Sequence, residues 1–534
     1  MSIIKSKINT NSAAYKENYQ KMQAKLDELK KHLAASLFQG EEKHIAKAKK
    51  LGKYLARERI DLLLDQDSPF LELCPLAGLG VKGGFGTGGT MVAGIGFVSG
   101  KMCLITANVG TNKGGAIDIA SLKKALRIAE IGAENNLPGI SLVESAGANL
   151  PDQAQVFNLG GNNFKEITRR SKQGVPTISI VFGNSTAGGA YIPGMSDYVI
   201  MVKNNAKVFL AGPPLVKMAT NEIVDDETLG GAEMHSKISG VSDYLAQDEL
   251  DGIRIAREII ENLNIKSEFK NLNSEIHKEP LYNIDELLGI VSADTKIPFD
   301  CREVIARIVD GSEFHEFKKD YGTTLVCGYA KIHGYPIAII GNNGVLFNDS
   351  ANKGAHFIQL CNMNHTPILF LQNITGFMVG KEYEQNGIIK DGAKMINAVS
   401  NSEVPMFTII MGASYGAGNY AMCGRAYNPR FLFTYPNSMI AVMGAEQLAG
   451  VMQMVSKESA LKAGQPYDEN QAVQMKEFMK MEIEKQSNAF FASGQLWDDG
   501  IIDPRDTRNV MSLILALTYL NEIKGTNSWG VYRM

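Results

Sequence analysis

The chain contains the same run of sequence twice, at an offset of 229 residues. VPTISIVFGNSTAGGAY begins at Val175, and VPMFTIIMGASYGAGNY begins at Val404. Each copy has Val-Pro, an apolar run of strand length and a glycine-rich turn. A second pair lies upstream at the same offset, NNLPGISLVESAGA from Asn135 and NHTPILFLQNITGF from Asn364. A chain that repeats its turns in register is predicted to fold as two related halves.

The repeat extends beyond these turns. GIGFVSGKMCLITANVG, Gly94–Gly110, matches GYAKIHGYPIAIIGNNG, Gly328–Gly344, at an offset of 234, and both runs predict a β-hairpin. Further upstream Asp65 matches Asp310 at an offset of 245. The offset drifts as loop insertions would make it drift. Short strands that alternate with helices predict an α/β layered fold, in which ligands bind at strand-to-helix turns.

Composition limits the class of protein. A length of 534 residues fits two domains of roughly 250 residues. The net charge of −3 gives no reason to expect nucleic acid or an anionic membrane as a partner. The six cysteines are scattered and form no C-x-x-C pair, which favours a reducing compartment. There is no secretion signal at the start and no apolar run of roughly 20 residues, so we expect a cytoplasmic protein.

The repeated turns are suited to binding an oxyanion. Thr186–Ala190 and Tyr415–Asn419 each follow an apolar strand and are predicted to begin a helix. The first amides of a helix have no internal acceptor, and small side chains let a ligand oxygen approach them. Losing one donor from such an oxyanion hole costs roughly 3–4 kcal/mol of transition-state stabilisation. The alternative is that the glycines only allow close helix packing.

A serine hydrolase is the first competing interpretation. Gly412–Gly416 reads G-x-S-x-G, the pattern of a nucleophile elbow around Ser414. In α/β-hydrolases the triad histidine follows the serine along the chain, but all eight histidines here precede Ser414. The first copy, around Ser185, lacks the motif. An α/β-hydrolase-type esterase is therefore a distant alternative.

Other motifs carry less weight. Gly78–Gly83 fits G-x-G-x-x-G, but a predicted hairpin and not a helix follows it. Met479–Met481 is similar to a biotin-attachment tripeptide, but its surroundings have helical spacing. His235 is isolated, and an isolated histidine is more often structural than catalytic. Since no cluster of His, Asp and Glu has the spacing of metal ligands, we predict no catalytic metal.

Two oxyanion holes without an evident side-chain base indicate a particular reaction class. Transfer of a carboxyl group between two carbonyl compounds develops negative charge on two oxygens in turn. One compound is a thioester that forms an enolate. The other is a ureido ring that becomes anionic when it releases CO₂. The duplicated turns therefore favour carboxyl transfer.

Long stretches carry a resemblance to one family. From about Tyr54 to Met534 the chain resembles the carboxyltransferase (β) subunit of biotin-dependent acyl-CoA carboxylases, most of all the 3-methylcrotonyl-CoA and geranyl-CoA enzymes. The stretches are FLAGPPLVK (209–217), LGGAEMH (229–235), REVIARIVDG (302–311), LQNITGFMVGKEYE (371–384), GIIKDGAKM (387–395), GAGNYAMCGR (416–425) and LWDDGIIDPRDTR (496–508).

The resemblance implies two tandem crotonase-like (ββα-superhelix) domains that arose by internal duplication. The expected order is an N-terminal helical extension (1–53), an N-domain (54–270), a linker (271–285) and a C-domain (286–534). It also implies that carboxybiotin enters between the N-domain of one subunit and the C-domain of another. One hole would hold the biotin oxyanion and the other the thioester oxygen, while the ureido nitrogen takes the proton from the acyl-CoA.

Site residues follow from the same resemblance. The oxyanion donors are expected at Gly188, Gly189, Gly416 and Ala417. The CoA-contacting segment maps to Tyr329–Phe357. Ten further residues are predicted to line the substrate and cofactor pockets: Ser145, Ala146, Gly147, Gly341, Asn342, Asn343, Gly344, Thr375, Gly376 and Phe377.

The family resemblance also implies partners. The chain has neither an ATP-grasp segment nor a biotinyl domain, so an α subunit with biotin carboxylase and biotin carrier activities is the expected partner. A hexameric core is expected as well. Biotin on that partner and acyl-CoA are the expected cofactor and substrate, in leucine or isoprenoid catabolism.

Motifs disagree about the acyl group. LQNITGF is of the methylcrotonyl or geranyl kind, whereas propionyl-CoA enzymes typically have D-x-P-G-F at that place. The stretch VFNLGGNNFKEITRRS (156–171) lacks the Phe-Pro-Asp-Arg loop of methylcrotonyl enzymes, and the ending NSWGVYRM resembles the geranyl type. We expect 3-methylcrotonyl-CoA first, geranyl-CoA second, and propionyl- or acetyl-CoA after them. A crotonase-like hydratase and a non-catalytic scaffold subunit remain alternatives.

Overall fold

The described part of the chain is built around two sheets of the same design. The computed structural model describes residues 2–265, 277–464 and 466–532. Each sheet has eight strands. The predicted tandem α/β duplication is therefore confirmed.

Each sheet belongs to one of two compact units. The predicted domain bounds stay a prediction, and residues 271–276 of the predicted linker lie outside the described residues. The described residues of the first unit are 31–265 and 494–496, and those of the second unit are 2–30, 497–532 and the described positions between 277 and 493.

The strands are short and mostly buried. In chain order they are β1 Ser2–Ile3, β2 Leu71–Glu72, β3 Met91–Val98, β4 Lys101–Asn108, β5 Gly139–Ser145, β6 Thr177–Thr186, β7 Tyr198–Val202, β8 Lys207–Phe209, β9 Tyr244–Ala246, β10 Glu313–Phe317, β11 Leu325–Ile332, β12 Tyr335–Asn342, β13 Ile368–Ile374, β14 Met406–Tyr415, β15 Phe431–Thr434 and β16 Met439–Ala441.

The helices connect these strands and cover the sheets. They are α1 Ala13–Ser36, α2 Glu42–Lys50, α3 Ala56–Leu63, α4 Ile119–Glu134, α5 Gln153–Lys172, α6 Tyr191–Met195, α7 Pro213–Thr220, α8 Asp226–Gly230, α9 Ala232–Met234, α10 Glu249–Asn262, α11 Leu287–Ile290, α12 Cys301–Ile308, α13 Asn348–Met363, α14 Lys381–Gln385, α15 Ile388–Asn401, α16 Gly416–Ala421, α17 Ala445–Lys462, α18 Glu469–Lys485, α19 Ala489–Gly494 and α20 Thr507–Tyr519.

The two sheets share one strand order. In the first, the order is β2-β3-β4-β5-β6-β7-β9, with β8 beside β6; in the second it is β1-β10-β11-β12-β13-β14-β15, with β16 beside β14. The hairpins β3–β4 and β11–β12 are antiparallel, and the strands that follow them are parallel. Parallel strands are covered on both faces, which explains their continuous apolar runs.

An irregularity marks the same place in both sheets. The β5–β6 register shifts between Val143 and Ser145, and the β13–β14 register shifts between Gln372 and Ile374. These positions are related by the offset of 229. Bulges redirect side chains and occur often beside active sites. Both shifts lie at the carboxyl ends of parallel strands, where the glycine-rich turns begin.

Each hairpin turn is held by an aspartate and an arginine. Asp65 accepts the two amides of the β3–β4 turn at 2.8 and 2.7 Å, and Arg257 donates to it at 2.8 Å. Asp310 accepts the amides of the β11–β12 turn at 2.9 and 2.7 Å, and Arg508 binds it at 2.8 Å. The aspartates match in sequence at an offset of 245, so the structure explains why both copies keep that residue.

One element of the N-terminal region differs from the sequence expectation. The sequence predicts a helical extension over residues 1–53, and α1 and α2 are helices within it, but residues 2–3 form a strand. This strand, β1, pairs antiparallel with β10, and Ser2 Oγ donates to Phe314 O at 3.0 Å. A two-residue strand has no periodicity to detect, so the pairing of Ser2 with Phe314, 312 residues away, could not be predicted.

Candidate functional site

The two glycine-rich turns have the same backbone. Ala187 and Gly416 occupy equivalent positions at the offset of 229, and each has φ of +55°. Such an angle is unusual for alanine. In the first half a 3₁₀ turn, Ala187–Ala190, follows β6; in the second half α16 follows β14 directly. The prediction that each turn begins a helix after a buried strand is confirmed.

The donors predicted from sequence are shifted by one position between the halves. Gly188 is equivalent to Ala417, and both are exposed, while Gly189 is equivalent to Gly418, and both are buried. Within the described residues, the amides of Gly188 and Ala417 donate to no acceptor outside their own turns. Both are therefore available to a ligand. Their role as oxyanion donors stays a prediction.

In the first half, a second turn lies beside this one. A methyl group on Gly147 would lie 2.9 Å from Thr186 O, and one on Gly189 would lie 3.9 Å from the Cα of Gly147. The amide of Gly147 donates to Ser145 Oγ at 3.1 Å, and the hydroxyl donates onward to Gly115 O. Ala146, between Ser145 and Gly147 in this second turn, is exposed. The structure thus brings Ser145, Ala146 and Gly147 close to Gly188 and Gly189, and their role in a binding pocket stays a prediction.

In the second half the packing is tighter. A methyl group on Gly418 would lie 2.5 Å from Ile374 Cγ1, 3.1 Å from Gly376 Cα and 3.3 Å from Gly376 N. Ile374 stands where the first half has Ser145, so this half has no hydroxyl at that place to accept the Gly376 amide. Thr375 is exposed at the rim, like Ala146. Gly418, which directly follows the predicted pair Gly416 and Ala417, is thus packed against Ile374 and Gly376.

Phe377 and the four residues 341–344 have structural contacts of their own. The ring of Phe377 lies 3.1 Å from where a methyl group on Gly392 would be, against the core of the second unit. Asn342 is fully buried and bonds both the amide and the carbonyl of Asn373, which aligns β12 with β13. Asn343 Oδ1 accepts the amide of Cys301 at the start of α12.

Glycines flank that pair of asparagines. Gly341 has no room for a side chain, since a methyl group would lie 2.8 Å from Cys301 Sγ, and Gly344 has φ of +116°. This segment therefore shapes the edge of the second sheet. Its prediction as a CoA contact stays a prediction.

The elbow-like serine is not placed as a nucleophile. The side chain of Ser414 is fully buried. Its Oγ donates to Gln372 Oε1 at 2.6 Å and accepts from Asn419 Nδ2 at 2.7 Å. A substrate cannot reach it, and its neighbours are amides and not an imidazole. The structure therefore gives the esterase alternative no support.

The remaining motifs also have structural explanations. Both ring nitrogens of His235 are hydrogen-bonded, to Ser239 Oγ and to Val208 O. Gly78–Gly83 precedes the β3–β4 hairpin. Lys480 lies within α18 and pairs with Glu446. In none of the described ranges do three or more His, Cys, Asp or Glu side chains form a group that could hold a metal ion.

An apolar cavity of about 670 Å³ opens beside the first turn. It lies between β4 and β5 on one side and α4 and α5 on the other. Its rim includes Gly147, Gly188 and Gly189. Its apolar walls include Leu104, Leu122, Ile128, Val143, Val156, Phe164 and Ile167. An apolar group whose polar end reaches the free amide of Gly188 would fit this arrangement.

A cationic pocket of about 520 Å³ lies on the same unit. Its lining includes His44, Lys47, Lys53, Arg59 and Lys113. Within the described residues neither Lys47 nor Lys113 forms a salt bridge. A methyl group on Gly114, which lines the pocket, would lie 3.4 Å from Ala146 Cβ at the rim of the oxyanion turn. An anionic group joined to the apolar ligand would meet positive charge here.

Two carboxylates line this pocket, Glu41 and Glu144. Glu144 is held between Lys53 Nζ and Arg59 Nη1, each at 2.7 Å. Burial opposes its ionisation, but the two cations outweigh burial and hold the pKa of Glu144 below its ordinary value. It therefore stays charged and paired with these two cations. Glu41 pairs with Lys43, so Lys47 and Lys113 are lining lysines that form no salt bridge within the described residues.

Sequence reasoning missed several of these residues. Lys47 and Lys113 belong to no repeated motif, so only their position in the fold brings them together. Gly418 could have been found, because the offset of 229 aligns it with Gly189. Ala187 could have been found in the same way from Gly416. The two predicted pairs do not align at this offset, because the turns read A-G-G in one copy and G-A-G in the other.

Comparisons with known proteins agree with this geometry. The chain matches the carboxyl transferase domain family over residues 47–529. It is 53% identical over its full length, and over the full length of the relative, to a probable biotin-dependent acyl-coenzyme A carboxylase beta2 subunit of Mycobacterium tuberculosis. It is 48% identical to the mitochondrial methylcrotonoyl-CoA carboxylase beta chain of Dictyostelium discoideum, over 100% of this chain and 91% of the relative.

A solved structure shares the fold. The beta subunit of the geranyl-CoA carboxylase of P. aeruginosa superposes with a TM-score of 0.90 at 44% identity and covers 99% of both chains. The predicted pair of crotonase-like domains is confirmed by this likeness. Along the described residues no helix has the length and apolar character needed to cross a membrane.

Proposed function

Because this chain belongs to the carboxyl transferase domain family, we propose that it is the β subunit of a biotin-dependent carboxylase that carboxylates an acyl-CoA. The observation that carries the proposal is the free amide of Gly188 at an apolar cavity, on the same unit as a cationic pocket whose lining residue Gly114 lies next to Ala146. In acyl-CoA a thioester joins an apolar acyl group to the pantetheine arm, whose far end carries a nucleotide with several phosphate charges. Both ends of acyl-CoA thus have a matching surface.

In this proposal the first half holds the thioester. The amide of Gly188 donates to the thioester oxygen as the acyl group loses a proton and negative charge moves onto that oxygen. In an α,β-unsaturated acyl group such as 3-methylcrotonyl the proton leaves the γ carbon and the anion is a dienolate. Such a donor is stronger when charge has developed, so it stabilises the enolate more than the ground state. No described side chain at the turn is placed as a base, which agrees with a proton acceptor supplied by the cofactor.

The second half fits a carbonyl oxygen of the cofactor. The amide of Ala417 is free, and the side chains directly beneath the turn, Gln372, Ser414 and Asn419, are neutral. Carboxybiotin, when bound, supplies CO₂ and a ureido oxygen that becomes negative as CO₂ leaves. The amides at the start of α16 would hold that oxygen, aided by the positive end of the helix.

The cavity sets a bound on the acyl group. A five-carbon acyl group needs about 150 Å³ and a ten-carbon group about 300 Å³ if each carbon takes roughly the share of a liquid water. The cavity, at about 670 Å³, admits both. We keep 3-methylcrotonyl-CoA as the first candidate, on the likeness to the methylcrotonoyl-CoA carboxylase chains. Geranyl-CoA is the second candidate, because the cavity leaves room for ten carbons.

The test is a carboxylation assay with the purified chain and a purified biotin-carrying α subunit. Incorporation of labelled bicarbonate would be measured with methylcrotonyl-, geranyl-, propionyl- and acetyl-CoA, and kcat/KM compared. We expect one of the first two to have the highest value. A preference for propionyl- or acetyl-CoA would overturn the substrate ranking, and no incorporation with any of the four would overturn the proposed function. The α-subunit partner and a homohexameric core are part of the proposal.

Reversing the charge of Lys113 is expected to weaken acyl-CoA binding. In Lys113→Glu, KM for acyl-CoA should rise about tenfold, equivalent to ~1.4 kcal/mol, with kcat close to wild type. The reason is that an exposed lysine at the pocket attracts phosphate charge without touching the reacting atoms. The increase should shrink as ionic strength rises.

The matched control is Lys123→Glu. Lys123 is also exposed but lies on α4 outside the pocket. The Lys123→Glu substitution changes the net charge by the same amount as Lys113→Glu. If both variants raise KM equally, the effect is a general one of protein charge and the cationic pocket is not the binding surface.

A further inference from the structure

The buried polar side chains around Ser414 have no counterpart in the first half. We infer that Gln372, Ser414 and Asn419 are positioning residues that fix α16, so that the amides of Gly416 and Ala417 point at the reacting oxygen. This inference rests on the proposed function. It also gives the G-x-S-x-G motif a role other than that of a nucleophile.

The three side chains form one continuous chain of hydrogen bonds. Asn419 Nδ2 donates to Ser414 Oγ at 2.7 Å, and Ser414 Oγ donates to Gln372 Oε1 at 2.6 Å. Gln372 Nε2 then donates to the carbonyl of Met422. Gln372 and Ser414 are fully buried. The side-chain amides of Asn419 and Gln372 have distinct donor and acceptor atoms, so they fix the direction of every hydrogen bond in this chain.

This chain of bonds holds the helix at both ends. Asn419 lies in the first turn of α16, and Met422 follows its last residue, Ala421. Gln372 and Ser414 lie on β13 and β14, whose ends are the floor of the site. A helix of six residues is not stable alone, so its direction is set by tertiary contacts. The contacts that set it here are these bonds together with the packing of Gly418.

The first half shows what replaces them. At the offset of 229, Gln372 corresponds to Val143, and Asn419 corresponds to Ala190. Val143 and Ala190 belong to an apolar cluster. Only the serine recurs, as Ser185, whose Oγ donates to Gly189 O at 2.9 Å. Burying polar groups costs free energy unless all are paired. The second half therefore keeps an arrangement in which every polar group must be paired, where an apolar one is possible in the same fold.

A direct consequence concerns catalysis. A displacement of about 1 Å at an active site can cost roughly 100-fold in rate. A loss of Ser414 Oγ leaves Gln372 Oε1 and Asn419 Nδ2 without their partner and frees the first turn of α16 to tilt. The amides of Gly416 and Ala417 would then point away from the oxygen they stabilise.

The experiment uses Ser414→Ala in the full chain, assembled with its α subunit. We expect kcat to fall roughly 10–100-fold, while KM for acyl-CoA stays close to wild type because the thioester is held by the other half. Thermal unfolding of each variant is measured in parallel. Asn419→Ala, which breaks the same chain of bonds at its other end, should show the same separation of kcat from KM.

Thr408→Val is the matched control. Thr408 is a fully buried hydroxyl on the same strand, and it donates to Cys423 O at 2.7 Å. Thr408→Val loses a comparable hydrogen bond, whose acceptor lies beyond the end of α16. It should lower the free energy of unfolding by a similar amount without lowering kcat. Equal falls in kcat for Ser414→Ala and Thr408→Val, or an unchanged kcat in Ser414→Ala, would refute the inference. Failure of the wild-type chain to carboxylate any acyl-CoA would instead refute the proposed function.

Discussion

Gly418→Ala is expected to lower kcat for carboxylation at least ~100-fold, because one methyl group would separate the two turns that form the proposed second oxyanion hole. That methyl would lie 2.5 Å from Ile374 Cγ1 and 3.1 Å from Gly376 Cα. Ile374 is fully buried and cannot move aside. The first turn of α16 must therefore shift away from Thr375 and Gly376. Steady-state kinetics with the assembled α subunit would measure the loss.

The equivalent change in the first half is the control. A methyl on Gly189 would meet Ser185 Oγ at 3.7 Å and Gly147 Cα at 3.9 Å, which are ordinary contacts. Gly189→Ala should therefore keep most of the activity. The two substitutions are chemically identical and lie at repeated positions, so only local packing distinguishes them. If both variants lose activity equally, or neither does, the close packing of α16 is not what forms the second hole.

The repeated turns show which features of the fold and the site can be predicted from the sequence. The duplication, the hairpins and the strand-to-helix turns follow from the offset between copies, because glycine and apolar patterns survive in both. The particular donor in each turn does not follow. Ala187 takes the positive φ that Gly416 takes in the other copy, and residue type alone would assign that angle to glycine.

Long-range contacts account for most of what was missed. Arg59 and Glu249 are 190 residues apart and share no motif, yet their side chains are joined by two hydrogen bonds. Gln372 and Asn419 meet through Ser414 only because β13 and β14 are neighbours. Ordinary polar residues give no pattern along the chain. Their partners become visible only when the strand order is known.

Arg59→Met is expected to be the most destabilising change outside the oxyanion turns. Arg59 Nε and Nη2 donate to Glu249 at 2.8 Å each, and Nη1 donates to Glu144 at 2.7 Å. Its guanidinium also lies 4.3 Å from the ring centre of Phe182. Removing the arginine leaves Glu249, which is only 4% exposed, without its cation. Breaking a buried pair in this way costs roughly 3–5 kcal/mol.

The control for this change is Arg57→Met, on the same helix. Arg57 binds Glu72 through two hydrogen bonds, but both side chains are about one-fifth exposed. Because solvent screens this pair, its loss should cost only about 1 kcal/mol. Urea unfolding of both variants would measure the difference. An Arg59→Met loss no larger than that of Arg57→Met would show that the buried cluster does not hold the first unit together.

The loss of stability in Arg59→Met should depend on pH, because the substitution leaves carboxylates without their cation. In the wild type, Arg59 and Lys53 overcome burial and hold the pKa of Glu144 below its ordinary value. The ionised carboxylate thus adds stability above the unfolded pKa of about 4.3, and this stability is lost as pH falls through the lower folded value. Without Arg59, burial disfavours the ionised form of Glu144. Protonation of Glu144 therefore restores stability to the variant, whereas it removes stability from the wild type. The difference in free energy of unfolding should therefore be largest at neutral pH and shrink toward pH 4, and a difference that stays constant or grows with acid would contradict this account of the cluster.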